Sequence, residues 1–190
     1  MTSALPEPPR TPKAEATRQR LLDLAALLFI ERGYEAVSLR DLALEAGVTK
    51  GAIYGHFRSK GQLLVEVIRT ELESRDAALD LQVAADNPAA MFDLFIHPGS
   101  RELRMLQIDA AAASRHDADV AAGMAELHRT RGSWIVESLG DVEDAETIAF
   151  VVSALSAGVG ALESQQREPP DVDAWRRIVG RMFGRVVRKQ

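Results

Sequence analysis

The sequence predicts an all-α fold of nine helices, with a short helical DNA-binding unit ahead of a larger helical body. Three observations carry that prediction. Apolar residues recur at helical spacing along nearly the whole 190-residue chain. No convincing alternating strand interrupts them. Helix-start signals stand where each apolar stripe begins, and Gly or Pro stands where several end.

Taken in order, "ALPEPPR" within residues 1–10 reads as a disordered arm. Thr11-Pro12 offers an N-cap with proline at the first helical position. Leu21, Leu22, Ala25, Leu28 and Phe29 then form one stripe, and Gly33 ends the helix. "SLRD", Ser38 to Asp41, is a capping box that opens a short helix through Ala46. Gly47-Val48 makes a turn, and Thr49 caps a third helix that ends near Phe57. "SKGQ", Ser59 to Gln62, is a second capping box at the head of a long helix carrying Leu63, Leu64, Val67, Ile68 and Leu72. Asn87-Pro88 restarts the chain into a short helix, which His97-Pro98-Gly99 breaks. Helices over 100–115, 117–139, roughly 144–165 and 172–188 complete the nine. The expected units are 11–58 for the DNA-binding part and 59–190 for the body, joined rigidly by the fourth helix.

Composition narrows the function classes. A chain that is 46% apolar is globular. Without cysteine there is no disulfide framework, thiolate metal site or cysteine nucleophile. No apolar run approaches the roughly 18 residues that would span a membrane, and the amino-terminal residues do not resemble a signal peptide. A cytoplasmic location, without membrane partners, is the expectation. The net charge of −5 argues against a polyanion partner until it is divided. Residues 1–70 hold ten Lys/Arg against eight Asp/Glu, while 71–190 hold thirteen against twenty. Nucleic acid is therefore electrostatically plausible only at the amino-terminal end.

Two short helices joined by Ala46-Gly47-Val48 and backed by a longer first helix make the layout of a helix-turn-helix. Ile53 and Phe57, four apart, anchor the second helix to the core and leave its other face free for a major groove. Thr49, Lys50, Tyr54, His56 and Lys60 are candidates for phosphate contact. Backbone donors at the helix starts at Ser38 and Ser59 add to them. The lesser alternative for Tyr54 is a half-buried aromatic, and for Lys50 and Lys60 ordinary solvated charges.

"RGYEAVSLRDLALEAGVTKGAIYGHFRSKGQLL", residues 32 to 64, strongly resembles the TetR family of bacterial transcriptional regulators. The resemblance lies in an ordered set: a Gly-Tyr stop, a capped Ser-Leu-Arg-Asp-Leu-Ala helix, a Gly-Val-Thr-Lys turn, Tyr-x-His-Phe and a Ser-Lys cap. It implies a homodimer on a palindromic double-stranded DNA operator, usually as a repressor. It also implies release by a small apolar or amphipathic effector. By the same resemblance Thr49, Lys50, Tyr54, His56 and Lys60 fall on DNA-contacting positions, with Arg40 on the preceding helix a further candidate. The departure is Gly55, where the family often has a larger base-touching side chain. With Gly51 beside it, the groove-facing centre of the helix is nearly bare. Close approach of the backbone to DNA, flanked by phosphate contacts, is the expected consequence, with much of the specificity read from DNA shape.

The body offers two further sets of residues. Ile148, Val152, Leu155, Val159 and Leu162 lie on one strongly apolar helix, whose small residues allow close helix approach. Trp175, Val179, Met182, Phe183 and Val186 lie on the last helix. Both helices bury more than one face, either in the chain's own core or in a two-fold four-helix interface as the resemblance implies. Met91, Phe95, Met105, Ile108, Met124, Leu127 and Trp134 are candidates to line an effector cavity or simply to fill the core. Asp109, polar on an apolar helix, is a candidate to orient the effector or a solvent-facing residue. His97, His116 and His128 lack metal-ligand spacing, and neither metal nor cofactor is expected. No phosphate loop, nucleophile elbow or acid/base pair supports an enzyme. A ligand-independent or global DNA-binding regulator is the alternative.

Overall fold

The computed structural model describes residues 11–77, 98–140 and 143–168, with 171, 173–174, 177–178 and 181 beyond them. The described residues are helical, with no strand. Seven α-helices run in the order α1 (Pro12–Arg32), α2 (Leu39–Glu45), α3 (Lys50–His56), α4 (Lys60–Ala77), α5 (Arg101–Ala113), α6 (Ala118–Leu139) and α7 (Ala145–Ser164). The expected helix after Asn87-Pro88 lies outside the described residues, as does the amino-terminal arm. Within 172–188, residues 173–174, 177–178 and 181 are helical. The count of nine thus stands at seven among the described residues.

The starts follow from local chemistry. Thr11 Oγ1 accepts from the Ala14 N–H at 3.3 Å, with Pro12 next in the chain. Ser38 and Asp41 close the expected capping box: the Asp41 N–H donates to Ser38 Oγ, and the Ser38 N–H donates to Asp41 Oδ2. Thr49 Oγ1 takes the Ala52 N–H at 3.2 Å. Asp171 accepts from the Ala174 N–H at 2.9 Å, as its place ahead of the last helix suggested. Asp117 caps α6 through two N–H groups, those of Asp119 and Val120. Each such cap contributes about 1 kcal/mol.

One continuous core crosses the expected domain boundary. It joins Leu21, Leu22, Ala25, Leu28 and Phe29 of α1 to Ile53 and Phe57, to Leu63, Leu64 and Ile68 of α4, and on to Leu106, Val120 and Met124. The helices of the body approach closely at glycines. A Cβ on Gly123 of α6 would stand 2.8 Å from Val65 Cγ2 and 3.2 Å from Val65 Cβ. Because Val65 is β-branched and itself buried, it has little freedom to yield. Gly123→Ala is therefore expected to destabilise the chain by about 1–3 kcal/mol despite its better helix propensity. A denaturant melt showing no loss would mean that α4 and α6 can part without penalty.

On α7 the structure corrects one sequence expectation. Ala145–Ser164 has a mean hydropathy of 1.7 over an 18-residue window, which by length and composition suffices to cross a membrane. Alanines and glycines raise that mean without forming a run of large apolar residues, so the segment did not stand out. Only 22% of the window is buried within the chain. Phe150 is 74% exposed and Leu162 is exposed as well, while Val152 turns inward and is buried. Of the residues expected at the interface, Ile148, Leu155 and Val159 are half-buried. Trp175, Val179, Met182, Phe183 and Val186 lie outside the described residues.

Glu163, near the carboxyl end of α7, is buried against Arg104 of α5. The guanidinium donates to both carboxylate oxygens, at 2.7 and 2.6 Å, with the two side chains 1% and 2% exposed. Gly160 lets the helices meet there, its place for a Cβ lying 3.2 Å from Arg104 Cβ and 3.3 Å from Ile108 Cγ1.

Candidate nucleic-acid interface

The geometry of the interface starts at the α2–α3 turn. Gly47 takes φ +66°, a left-handed conformation that a side chain would strain, and this reverses the chain within two residues. The Val48 N–H then donates to the Ala43 carbonyl at 2.9 Å, and the half-buried Val48 side chain packs on the core. Ile53 and Phe57 fasten α3 from below, with 0% and 1% exposed. Burial of each is worth roughly 1.5–3 kcal/mol. Arg18 of α1 lies 5.2 Å over the Phe57 ring and pairs with Glu66 of α4, so the base of α3 is held from two helices.

What remains of α3 faces outward. Lys50, Gly51, Tyr54 and Gly55 are all exposed, and His56 is half-buried beside the Phe57 ring. The Lys50 ammonium sits 5.6 Å from the centre of the Tyr54 ring, so the two side chains support each other one turn apart. A Cβ at Gly51 would make only an ordinary 3.9 Å contact with Thr49 Oγ1, and one at Gly55 would meet nothing within 4 Å. Nothing inside the chain therefore requires either glycine.

A single groove collects Ser38, Arg40, Lys50, Tyr54, Ser59 and Lys60 of the expected set, and adds Arg58. Arg58, in the link between α3 and α4, was missed at the sequence level. Its only local signal was a basic residue directly after the buried Phe57. Ser59 Oγ accepts from the Gln62 N–H, and Gln62 Oε1 accepts from the Arg58 N–H. The link is thereby held rigid beside the groove.

Of the acids nearby, Glu35 lines the groove and lies 3.2 Å from His116 Nε2, and two more are engaged close by. Asp41 is held below the ordinary carboxylate range, first by its bond from the Ser38 hydroxyl and then by the Ser38 backbone N–H. Glu45 pairs with Arg32 at 2.7 Å, which raises the guanidinium above its ordinary value. Arg40 and Lys50 are left outermost, a cationic rim around a bare helix face.

Lys60 is placed differently from the sequence expectation. Its ammonium donates to the Tyr34 carbonyl at 3.0 Å and lies 4.0 Å from the centre of the Tyr34 ring. The partner is 26 residues away in sequence, so the spacing of "SKGQ" carried no trace of it. Thr49 and Ser38 likewise spend their side-chain bonds on caps, and their contribution to a ligand would come from outward-facing lone pairs and neighbouring N–H groups.

Of the residues expected around an effector cavity, Ile108, Met124 and Leu127 do line one. It is a space of about 170 Å³ that also touches Leu72, Gln107, His128 and Arg131. That exceeds what one or two waters fill. Met105 and Trp134 are half-buried away from this lining, and Met91 and Phe95 lie outside the described residues. Asp109 does not face the cavity. Its carboxylate accepts from the Tyr34 N–H at 2.9 Å.

Residues 21–67, which hold α2, α3 and the groove beside them, match the family model described as bacterial regulatory proteins, tetR family. The chain is 31% identical over 150 residues to the HTH-type transcriptional regulator AcrR of Shigella flexneri, covering 75% of this chain and 67% of that protein. The chain belongs to the tetR family of bacterial regulatory proteins. It is a helix-turn-helix transcriptional regulator. It is 46% identical over 66 residues to the HTH-type transcriptional repressor KstR2 of Mycolicibacterium smegmatis. That match covers 34% of this chain and spans only 32% of the KstR2 length. Among solved structures, a transcriptional regulator from Rhodococcus sp. Rha1 shares the fold, with a TM-score of 0.69 at 22% identity over 88% of this chain and 96% of that one. The family-model match sits on the DNA-binding end, and the shared fold extends the likeness through the body.

Proposed function

We propose that this chain is a homodimeric repressor that grips a palindromic operator through α3 and is released when a small apolar or amphipathic effector fills the body. The groove that gathers Arg40, Lys50, Tyr54 and Arg58, next to an α3 face on which Gly51 and Gly55 are exposed, carries the DNA half of this reading. The flanks supply charge for phosphates, while the bare centre lets the α3 backbone come close to the bases. Few side chains then read base edges, and DNA deformability contributes specificity. Residues 11–58 act as the DNA-binding unit and 59–190 as the effector and dimer unit.

Dimerisation is supported by α7. A helix this apolar with under a quarter of its window buried leaves a large face, including Phe150 and Leu162, that needs a cover. A second copy related by a two-fold axis supplies one, and it also sets two α3 helices to read two half-sites. Release by an effector is supported by the partly open space of about 170 Å³ between α4, α5, α6 and α7.

The first test is selection of a duplex from a random pool by the wild-type protein. A palindromic consensus that survives competitor DNA is expected, and its absence would sink the reading. On that duplex, six cations from two copies of Arg40, Lys50 and Arg58 predict a slope of log affinity against log salt near −5. Lys50→Ala should make the slope less negative by about 2, one phosphate contact per half-site. An unchanged slope would remove Lys50 from the phosphate contacts.

A further inference from the structure

Taking effector release as inferred above, we propose that Tyr34 is the positioning residue through which filling of the cavity reaches the DNA-reading helices. Tyr34 stands between α1 and α2, follows the positive-φ cap Gly33, and is 3% exposed. Three separate elements hold it. Its N–H donates to Asp109 Oδ2 of α5 at 2.9 Å. Its phenol donates to Asp117 Oδ2, at the start of α6, at 3.1 Å. Its carbonyl accepts from Lys60 at the start of α4, whose ammonium also lies over the ring. Burial, followed by the bond to Asp117, pushes the phenol well above its ordinary range, so the O–H stays a donor.

The two carboxylates belong to two of the four helices that wall the cavity, Asp109 within α5 and Asp117 capping α6. Asp109 lies between the lining residues Ile108 and Ala111, turned about 100° per residue away from them and toward Tyr34. Asp117 divides its oxygens. Oδ1 caps α6 through the Asp119 and Val120 N–H groups, and Oδ2 holds Tyr34. Further along α6, Met124, Leu127 and Arg131 form the opposite wall. If an occupant moves α5 and α6 apart, one anchor of Tyr34 must move or break. Hydrogen bonds weaken steeply with misalignment, so the response is a switch of partners rather than a gradual stretch.

The packing leaves few other routes. Helices α2 and α3 pack on each other, and α2 packs on α1, without substantial packing on α5, α6 or α7. A movement in the cavity walls therefore reaches them through α1, α4 or the Tyr34 segment. Helix α4 packs on both α5 and α6 and is the rival route. A coupling measurement separates the two.

The cavity is filled by substitution, with no effector needed. Ala111→Leu on α5 and Gly132→Leu on α6 each add a side chain at the lining, and at Gly132 a Cβ meets nothing within 4 Å. Affinity for the duplex selected by the wild-type protein is measured with and without each filler. The measurement is made in the wild-type background and in a Tyr34→Phe, Asp109→Ala background. In the wild-type background the fillers are expected to weaken binding by about 5- to 150-fold, the usual range of allosteric coupling. With Tyr34 released, the same fillers should change affinity by no more than about twofold, the limit for independent sites. A residue that merely supports the fold would lower affinity in every protein and leave the filler's fold-change intact. Equal filler effects in both backgrounds would overturn the role of Tyr34 and assign transmission to the packing of α1 and α4. Fillers without effect in the wild-type background would overturn effector release itself, and the role of Tyr34 with it. Should the double substitution fail to fold in a thermal melt, Tyr34→Phe alone is used, and an undiminished filler effect then overturns the role.

Discussion

Gly55→Ala is expected to raise the melting temperature and weaken operator binding at once. A glycine inside a helix costs about 0.8–1 kcal/mol relative to alanine, and no atom lies within 4 Å of the added carbon. Nothing in the free protein opposes the gain. For a chain of this size 1 kcal/mol shifts the melting temperature by about 2–4 °C. On DNA the balance reverses. The methyl group stands opposite Ile53 and Phe57, at the centre of the outward face, where the proposed approach of the backbone to the bases takes place. Holding the helix off by even part of an ångström stretches the flanking phosphate bonds on both half-sites. A loss on the order of tenfold, about 1.4 kcal/mol, is expected by titration on the selected duplex. Unaltered affinity would remove close approach as the reason for the glycine. A fall in melting temperature would contradict the open space around it.

The largest stability effect is expected at Arg104. Arg104→Met leaves the Glu163 carboxylate 2% exposed without the guanidinium that now takes both its oxygens. Removing one partner of a buried pair costs about 3–5 kcal/mol, because the remaining charge stays desolvated. That corresponds to a fall of roughly 6–20 °C in melting temperature. Adding Glu163→Leu should recover most of the loss, since a well-packed apolar pair replaces buried ions at little or no net cost. The consequence extends beyond stability. Arg104 and Ile108 are the α5 residues against Gly160 of α7, and Ile108 also lines the cavity. Loosening this contact disturbs the cavity wall and the apolar α7 face together. Thermal melts at several protein concentrations separate the two, because a weakened dimer makes the midpoint concentration-dependent. A loss below about 1 kcal/mol would show that water reaches the pair after the substitution.

The chemistry of the DNA-binding end was largely legible from its sequence. Thr11, Ser38 and Thr49 cap helices whose starts they marked, because a cap involves only the next three residues. Ile53 and Phe57 are buried, as their four-residue spacing required. Gly51 and Gly55 are exposed on the opposite face for the same periodic reason, with Lys50 and Tyr54 exposed on its flank. Long-range partners were not legible. Asp109 read as a cavity or solvent residue because its helix is apolar around it, yet it binds a backbone N–H 75 residues earlier. Glu163 closed an apolar helix and gave no sign that Arg104 would meet it 59 residues away. Arg58 drew no notice because a basic residue in a helix link is ordinary until the groove beside it exists.

By itself the sequence determined an all-helical chain, the places where its helices begin, the helix-turn-helix and the face of α3 left without side chains. Those properties depend on residues within a turn or two of one another, where backbone geometry ties position to direction. Only the tertiary structure decided that Lys60 serves Tyr34, that Asp109 and Asp117 hold it from two cavity walls, and that α7 leaves most of its apolar surface uncovered. The physical reason is the same in each case. A charged or apolar side chain announces that it needs a partner, but which partner it meets depends on how distant helices cross.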